Sequence, residues 1–461
     1  MNQSIIFYCY LHKYTEGLKL IKNATFYKYR KGIHMVDSKT TQTIGELIRA
    51  KRTELGISLS EVSRVTGVSK GVISKVESGE TKRPELRTLK PIADVLEIPC
   101  EEIIECCIEM EQRVGILDVF LSESIEISNL SLITKVANKL LESPQEDTYT
   151  LLEHLYKLAN KNTNTAIRLT LYNIIITYAR VHGVPMYIAK GLYQKYLIER
   201  EDLKRLEESF KVGEESLYYV DFLSDEEKIT FYFRMTLHAH NTKKFAECIE
   251  LCKMGLREET PGTELKARAH LAMINSLLFL ENYDEVEYHL DVFEQYPYHF
   301  VPDATKITRA IVKAKTKQFD VAIPMLQECL DEVSKDLKIH VANELFDVFF
   351  QTRDMNSIAE LLTLEEECMI SNPQTPYQHI SIGTFYQFKG NFMMETGSLE
   401  QGKESYLLSL GTFKKVNAYQ ELTECMKHIF EYFSKNLMSV DIEYVKRLNE
   451  VYNGAVRRKC N

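Results

Sequence analysis

The chain has 461 residues, 44% hydrophobic and 27% charged, with only 11 Pro and 19 Gly and a formal net charge of −9. That length accommodates two or three domains with sizeable cores, and the composition excludes global disorder. The negative balance excludes a protein coated in nucleic acid, so any DNA contact must be local. Few helix breakers beside abundant Leu, Glu and Lys predict an all-α protein. The ten cysteines are scattered, without a CxxC pair or zinc-finger spacing, and read as buried thiols of a reducing cytoplasm. Cys248 and Cys252 lie one helical turn apart but have no second ligand pair. No metal and no cofactor are expected. No apolar run reaches the ~18 residues of a membrane span, and residues 5–11 lack the basic stretch that would precede them in a signal peptide. A cytoplasmic protein with no membrane contact is the expectation.

Residues 1–42 form an N-terminal extension. Residues 1–34 hold six Lys/Arg and a single acid, Glu16. One reading is a basic arm on DNA. The preferred reading is that the natural start is Met35, since Arg30-Lys31-Gly32 can be encoded by purine-rich codons that resemble a ribosome-binding site.

From Thr43 the pattern is regular. Thr43-Ile44-Gly45-Glu46 is a capping box, followed by Ile44, Leu47, Ile48 and Leu55 as an apolar stripe, and Gly56 ends this helix. Ser58-Leu59-Ser60-Glu61 is a second capping box. It opens a short helix expected to turn Val62 and Val65 inward and to stop at Gly67. Ser69 caps a third helix, with Val72, Ile73 and Val76 towards the core, and Gly79 stops it. A fourth helix follows Pro84, with Leu86, Leu89, Ile92, Ala93 and Leu96 inward. Pro99 then closes the unit, and a fifth helix starts at Glu101. Short helices joined by a tight Gly turn make a helix-turn-helix plan. Over residues 44–98 the run resembles the Xre/Cro-type, lambda-repressor-like family. The matching positions include Gly56-Ile57-Ser58, Glu61-Val62, Gly67-Val68-Ser69, Ile73-Ser74-Lys75-Val76-Glu77, Gly79, Pro84 and Leu89. Two departures stand out: Leu59 occupies a position where the family usually has Gln, and one residue is inserted before Pro84.

Between residues 49 and 90 there are ten Lys/Arg against five acids, and six acids crowd residues 94–109. The basic part would face phosphate, which supplies most of the affinity and makes it salt-dependent. Ser69, Lys70, Gly71, Ser74 and Lys75 are the candidates for a major-groove face. Lys82 and Arg83 would grip the DNA backbone, with Arg49 and Arg52 as further candidate DNA contacts. The helix-turn-helix domain is assigned to residues 43–105.

Residues 106–126 read as a linker helix, with Met110, Val114, Leu117 and Leu121 on one face. Residues 127–461 are helix after helix, with turn signals at Asn160-Lys161-Asn162, Gly183-Val184-Pro185 and Asn282-Tyr283-Asp284. A weak repeat is visible. Phe245, Tyr283, Phe319, Met355 and Leu399 each follow a polar turn and precede a helix, at intervals of 38, 36, 36 and 44 residues. Tetratricopeptide repeats have a period of about 34. The small residue expected three places after each anchor is present as Cys248, Ala322 and Gly402 and replaced by Val286 and Ile358. The reading is a degenerate tetratricopeptide-like α-solenoid whose first helices line a groove. Polar groove positions are His240, Arg268, Asn275, His340, Asn343, Asp347, Gln387 and Asn391. Asn and Gln amides suit the backbone of an extended peptide, and Arg268 its carboxylate.

An Xre-type domain followed by such repeats resembles the RRNPP family of peptide pheromone receptors. The resemblance implies a homodimer on a double-stranded DNA operator and a short signalling peptide in the repeat groove, in quorum sensing or phage-type communication. It also implies peptide-holding Asn side chains, for which Asn275, Asn343 and Asn391 fit. The alternative is a helix-turn-helix regulator whose repeats bind a partner protein. No enzyme is expected: the chain has no Gly-rich phosphate loop, HExxH or GxSxG. His340 with Asp347 on one helix face is the only pair worth mentioning, and it reads as a helix surface pair.

Overall fold

Side-chain caps and left-handed turns set the helix boundaries in this chain. The computed structural model describes residues 43–258, 262–437 and 439–456. The expectations for the basic extension and the start at Met35 fall outside those residues. Among the described residues every regular element is a helix. Contacts divide the chain into one unit ending at Leu151 and a second beginning at Leu152.

The first unit contains α1 (Ile44–Glu54), α2 (Leu59–Thr66), α3 (Lys70–Glu77), α4 (Leu86–Val95), α5 (Cys100–Ile108), α6 (Val114–Glu126) and α7 (Leu130–Leu141). Thr43 and Glu46 form the complete capping box of α1. The second box is half formed. The Ser58 hydroxyl accepts from the Glu61 N–H, but the Glu61 carboxylate pairs with Arg64 instead of reaching back. Gly56, Gly67 and Gly79 adopt φ of 68°, 72° and 76°, the left-handed conformation that closes a helix without Cβ strain. Ile48, Val62, Ile73, Val76, Leu89 and Ile92 form the core. Three expected inward residues point out instead: Leu55, Val65 and Val72 are 43%, 53% and 40% exposed. Leu55 lies at the C-cap of α1, and α2 and α3 have only eight residues each. Such short helices bury one narrow stripe, which Val62 and the Ile73/Val76 pair fill.

The expected linker helix over 106–126 is also broken. α5 stops at Ile108, and Met110 is exposed. Glu111 provides the reason. Its buried carboxylate accepts from the N–H groups of Gln112 and Arg113 at 3.0 and 2.9 Å and pairs with the Arg113 guanidinium. The N-cap N–H of Arg113 is thereby satisfied, the Val114 N–H donates to the Gln145 side chain at 3.0 Å, and a new helix starts.

The second unit begins within α8 (Thr148–Lys161) and continues through α9 (Thr165–His182), α10 (Pro185–Glu199), α11 (Leu206–Leu217), α12 (Asp225–Asn241), α13 (Phe245–Arg257), α14 (Glu264–Phe279), α15 (Tyr283–Phe293) and α16 (Val301–Lys315). It ends with α17 (Phe319–Glu332), α18 (Lys335–Thr352), α19 (Met355–Leu362), α20 (Glu365–Cys368), α21 (Pro376–Glu395), α22 (Leu399–Lys415), α23 (Tyr419–Lys435) and α24 (Ile442–Val456). Each repeat anchor read from the sequence is the first residue of a helix: α13, α15, α17, α19 and α22. All five residues three places beyond the anchors are buried, Val286 and Ile358 included.

These turns share one backbone. Lys243, Glu281, Lys317, Arg353, Gly397 and Asn417 all have positive φ, from 53° to 85°, and each sits two residues before a helix start. The following N–H reaches back across the turn, as from Lys244 to the Ala239 carbonyl and from Asn282 to the Leu277 carbonyl, at 2.8 and 3.0 Å. This is the reach-back bond of the Schellman motif. It also marks Tyr419 as a sixth anchor that the sequence spacing did not single out. The unit is thus a helical solenoid of antiparallel pairs. Turns far apart in the sequence meet: Lys243 pairs with Glu421, and the Asn417 side chain donates to the Lys204 carbonyl at 2.8 Å.

Candidate functional site

The first candidate site is the outer face of α3. Ser69 caps the helix by accepting from the Val72 N–H. Lys70, Gly71, Ser74 and Lys75 are all exposed. Arg49 on α1 and Lys82 and Arg83 beyond α3 are exposed too, which brings the basic residues onto the solvent side of one small unit. Arg52 is the exception. Its guanidinium donates to both Glu77 oxygens at 2.7 and 2.8 Å and to the Ile57 carbonyl at 3.1 Å, and its side chain is only 17% exposed. Arg52 therefore clamps α1 to α3 instead of presenting its charge outward. Gly45 completes the clamp: a Cβ there would lie 2.3 Å from the Val76 carbonyl oxygen. The close crossing of α1 and α3, which holds the outer face in place, requires this glycine. Leu59, at the position of the family's usual Gln, is half-buried at the start of α2.

The second candidate site is a cavity of about 280 Å³ inside the solenoid. α12, α14, α18, α21 and α23 line it, chiefly through His240, Phe279, His340, Asn343, Glu344 and Tyr377. Of the polar groove positions read from the sequence, the structure brings His240, His340 and Asn343 together here. The Ser381 hydroxyl lies 2.8 Å from His340 Nδ1, and the Ser276 hydroxyl lies 3.0 Å from His240 Nδ1. Burial pushes both imidazoles down to about 4, so they are neutral at pH 7. Tyr377 stacks on His340 with ring centres 4.5 Å apart, and Phe245 stacks on Phe279 at 4.7 Å. The walls are thus largely aromatic.

The other expected groove residues lie outside this cavity, and most are engaged. Arg268 pairs with Glu264 and lies over the Phe300 ring. Asp347 accepts from Lys315 at 2.9 Å. Gln387 donates to His428 Nδ1 at 3.1 Å, and Asn391 accepts from the Tyr406 hydroxyl at 2.6 Å. Asn275 is half-buried on α14. Tyr377, Glu344 and Ser381 line the cavity without having been singled out. Glu344 is adjacent in sequence to Asn343, and Tyr377 sits in the first turn of α21. A 20-residue helix extends past the offsets that describe shorter repeats. Among the described residues no group of three His, Cys, Asp or Glu side chains is placed to hold a metal ion. No described helix is long and apolar enough to cross a membrane.

Comparison with known proteins bears on the first unit. The family model described as Helix-turn-helix matches residues 48–103. The HTH-type transcriptional repressor RghR of Bacillus subtilis (strain 168) is 26% identical over 125 residues, covering 25% of this chain and 89% of RghR. The HTH-type transcriptional regulator SlrR of the same organism is 31% identical over 72 residues, covering 16% of this chain and 47% of SlrR. Among solved structures, SeMet-phAimR is 16% identical with a TM-score of 0.37, over 89% of this chain and all of that one. Bacillus thuringiensis PlcR in complex with the peptide PapR7 and DNA is 13% identical with a TM-score of 0.23, over 72% of this chain and all of that one. At these TM-scores the two structural likenesses carry no inference for this chain. The helix-turn-helix match, with the caps and glycine turns that build it, identifies residues 48–103 as a DNA-binding helix-turn-helix domain, and both relatives named above are HTH-type transcriptional regulators.

Proposed function

We propose that the chain is a peptide-switched regulator of the RRNPP type: α3 reads a double-stranded operator, and a short signalling peptide held in the solenoid decides when it does so. The observation that carries this reading is one chain combining a helix-turn-helix unit with a helical solenoid that encloses a polar, aromatic-walled cavity. Ser69, Lys70, Gly71, Ser74 and Lys75 face the groove, while Lys82, Arg83 and Arg49 contact phosphate. Arg52 holds α3 in place. Two lysines on one short helix bind weakly alone, so a homodimer on two half-sites, about 34 Å or a multiple apart, supplies the affinity.

The switch follows from linkage. A peptide shifts DNA binding only through different affinities for two arrangements of the solenoid. The contacts joining Lys243 and Lys204 to residues 417–421 close the solenoid beside the cavity. A ligand there would favour either the closed ring or an opened one. His340 and Asn343 contact the peptide directly; Arg268, Asn275, Asp347, Gln387 and Asn391 shape the groove around it. The test is to sequence the DNA bound by the full-length protein in cells, with and without any small peptide found to be encoded beside its gene. Occupancy that changes at specific sites is expected. Occupancy indifferent to every such peptide would overturn the switch while leaving the DNA-binding assignment intact.

A further inference from the structure

Gly71 has no reason inside the protein to be a glycine. The helical glycines Gly45, Gly213 and Gly383 each have one: a Cβ there would lie 2.2–2.4 Å from the Val76 carbonyl oxygen, the Met235 sulfur and the Phe413 ring respectively. The turn glycines Gly56, Gly67 and Gly79 have another, a positive φ. A Cβ on Gly71 meets nothing within 4 Å, and its φ lies outside the left-handed region. Gly71 sits in the first turn of α3, where alanine would favour the helix. Gly115 and Gly411 are as open, but Gly71 alone of the three lies in the helix-turn-helix.

Its place on the helix says what the space is for. At 3.6 residues per turn, Gly71 stands about 160° and about 140° round α3 from Ile73 and Val76, the two residues that α3 buries. It is therefore the crest of the outer face, and Ser74, Lys75 and Ser78 beside it are exposed. Next along the chain is Val72, 40% exposed. Gly71 and Val72 form the apolar part of a face otherwise lined by Ser and Lys. A helix lying in a major groove brings its crest nearest the base edges, and a glycine there lets the backbone approach more closely than any other residue would. One base offers that groove an apolar group: thymine, through its C5-methyl.

We infer that Gly71 is a specificity-determining residue: the space left by its missing side chain receives a thymine C5-methyl, with Val72 as the apolar wall beside it. This rests on the reading of α3 as the groove helix, and the test separates the two. Duplexes enriched from a random pool by the full-length protein supply the sites. Each thymine of an enriched site is replaced in turn by deoxyuridine, which lacks only the methyl. One thymine position is expected to respond, with binding weaker by about fourfold for each buried methyl removed. Gly71→Ala should bind the thymine site about tenfold or more weakly, because its new methyl overpacks the contact, and should recover most of that loss on the deoxyuridine site. Its melting temperature should rise by about 1–3 °C, where a glycine with a structural role would give a fall. Unchanged affinity in Gly71→Ala, or a loss that deoxyuridine restores at no position, would overturn the methyl contact. Lys70→Ala with Lys75→Ala, losing binding on the same site, would then keep α3 as the reading helix. No enriched site at all would remove both. The deoxyuridine series on the unaltered protein decides the matter even where Gly71→Ala does not fold, since the absence of a responsive thymine overturns the contact.

Discussion

Both units pair many of their cations, Lys51, Arg52, Arg64 and Arg87 of the first included, and they differ in which cations stay free. On the helix-turn-helix unit, Arg49, Lys70, Lys75, Lys82 and Arg83 are exposed and have no ion pair among the described residues. In the solenoid most cations are paired, often more than once: Arg309 meets Glu287, Asp291 and Glu294, and Lys403 meets Glu400 and Asp441. Exposed pairs contribute little stability, at most ~1 kcal/mol, so this pairing does not explain how the solenoid holds together. It does separate architecture from interface. Cations without partners can take a polyanion with no prior bond to break.

The sharpest way to break this comparison is to remove Lys70 and Lys75 together, each as Lys→Ala. Neither side chain has an internal partner, so the melting temperature should stay within about a degree. Operator affinity should fall by about a hundredfold or more. The dependence of log K on log salt should flatten by up to ~2 if both lysines neutralise phosphates. Fluorescence anisotropy across a salt series measures both quantities. An unchanged footprint would mean that α3 is not the reading helix.

A change beneath that face should act through structure. Gly45→Ala places a Cβ 2.3 Å from the Val76 carbonyl, a backbone atom that cannot step aside. About 1–3 kcal/mol of destabilisation is expected for such overpacking, together with weaker DNA binding as α3 is displaced. Denaturant melts of the full chain, followed by a probe in the first unit, would register it. Full stability with full binding would contradict the clamp formed by Gly45, Arg52 and Glu77.

Much of the first unit was legible because its boundaries rest on single residues with one physical role. Thr43, Ser58 and Ser69 are caps, and Gly56, Gly67 and Gly79 are left-handed turns. The outward turn of Val65 and Val72 was not legible, since two helical turns hold too few residues to say which of two adjacent stripes is buried. The repeat anchors were readable from spacing. The turns before them were not, because only Gly397 of the six left-handed positions is a glycine. The cavity was half legible. Offsets within one repeat located His240, His340 and Asn343, but Lys243 and Glu421 meet from helix pairs far apart in the chain. No local spacing encodes that closure.

Acidification should weaken the solenoid through its histidines. Burial lowers His238 and His270 to about 4 from the ordinary 6.5, and both are 1% exposed. The Leu206 carbonyl, 2.8 Å from His238 Nε2, requires that nitrogen to donate, and Nδ1 then accepts from the Tyr196 hydroxyl. A base with a lowered pKa in the fold binds fewer protons there than in the unfolded chain. Its contribution is complete above about 6.5 and is lost as the pH falls towards 4. At pH 5 the loss is on the order of 2 kcal/mol per histidine. Glu344, raised from the ordinary carboxylate value by burial, opposes this because it gains on protonation. Melting temperatures from pH 7.5 to 5 should fall, and fall less in a His238→Gln variant. A flat profile would mean that these imidazoles stay accessible to protons in the folded chain.

The smallest expected effect concerns the solenoid's turns, and it makes the contrast with the first unit quantitative. Glu281 and Lys317 hold φ near 60°, where a Cβ crowds the following carbonyl at a cost of roughly 1–2 kcal/mol. A glycine relieves that strain but gives back part of the gain, because the unfolded chain becomes freer. Glu281→Gly and Lys317→Gly should therefore each stabilise the chain by about 0.5–1 kcal/mol. Gly397→Ala, at φ 85°, should destabilise it by a similar amount or more. Chemical melts of the three variants give the signs directly. If the glycine variants were neutral or worse, local side-chain contacts would have to favour the non-glycine residues at these turns. The missing glycines would then be selected, and their absence from the sequence would itself become a signature of the repeat.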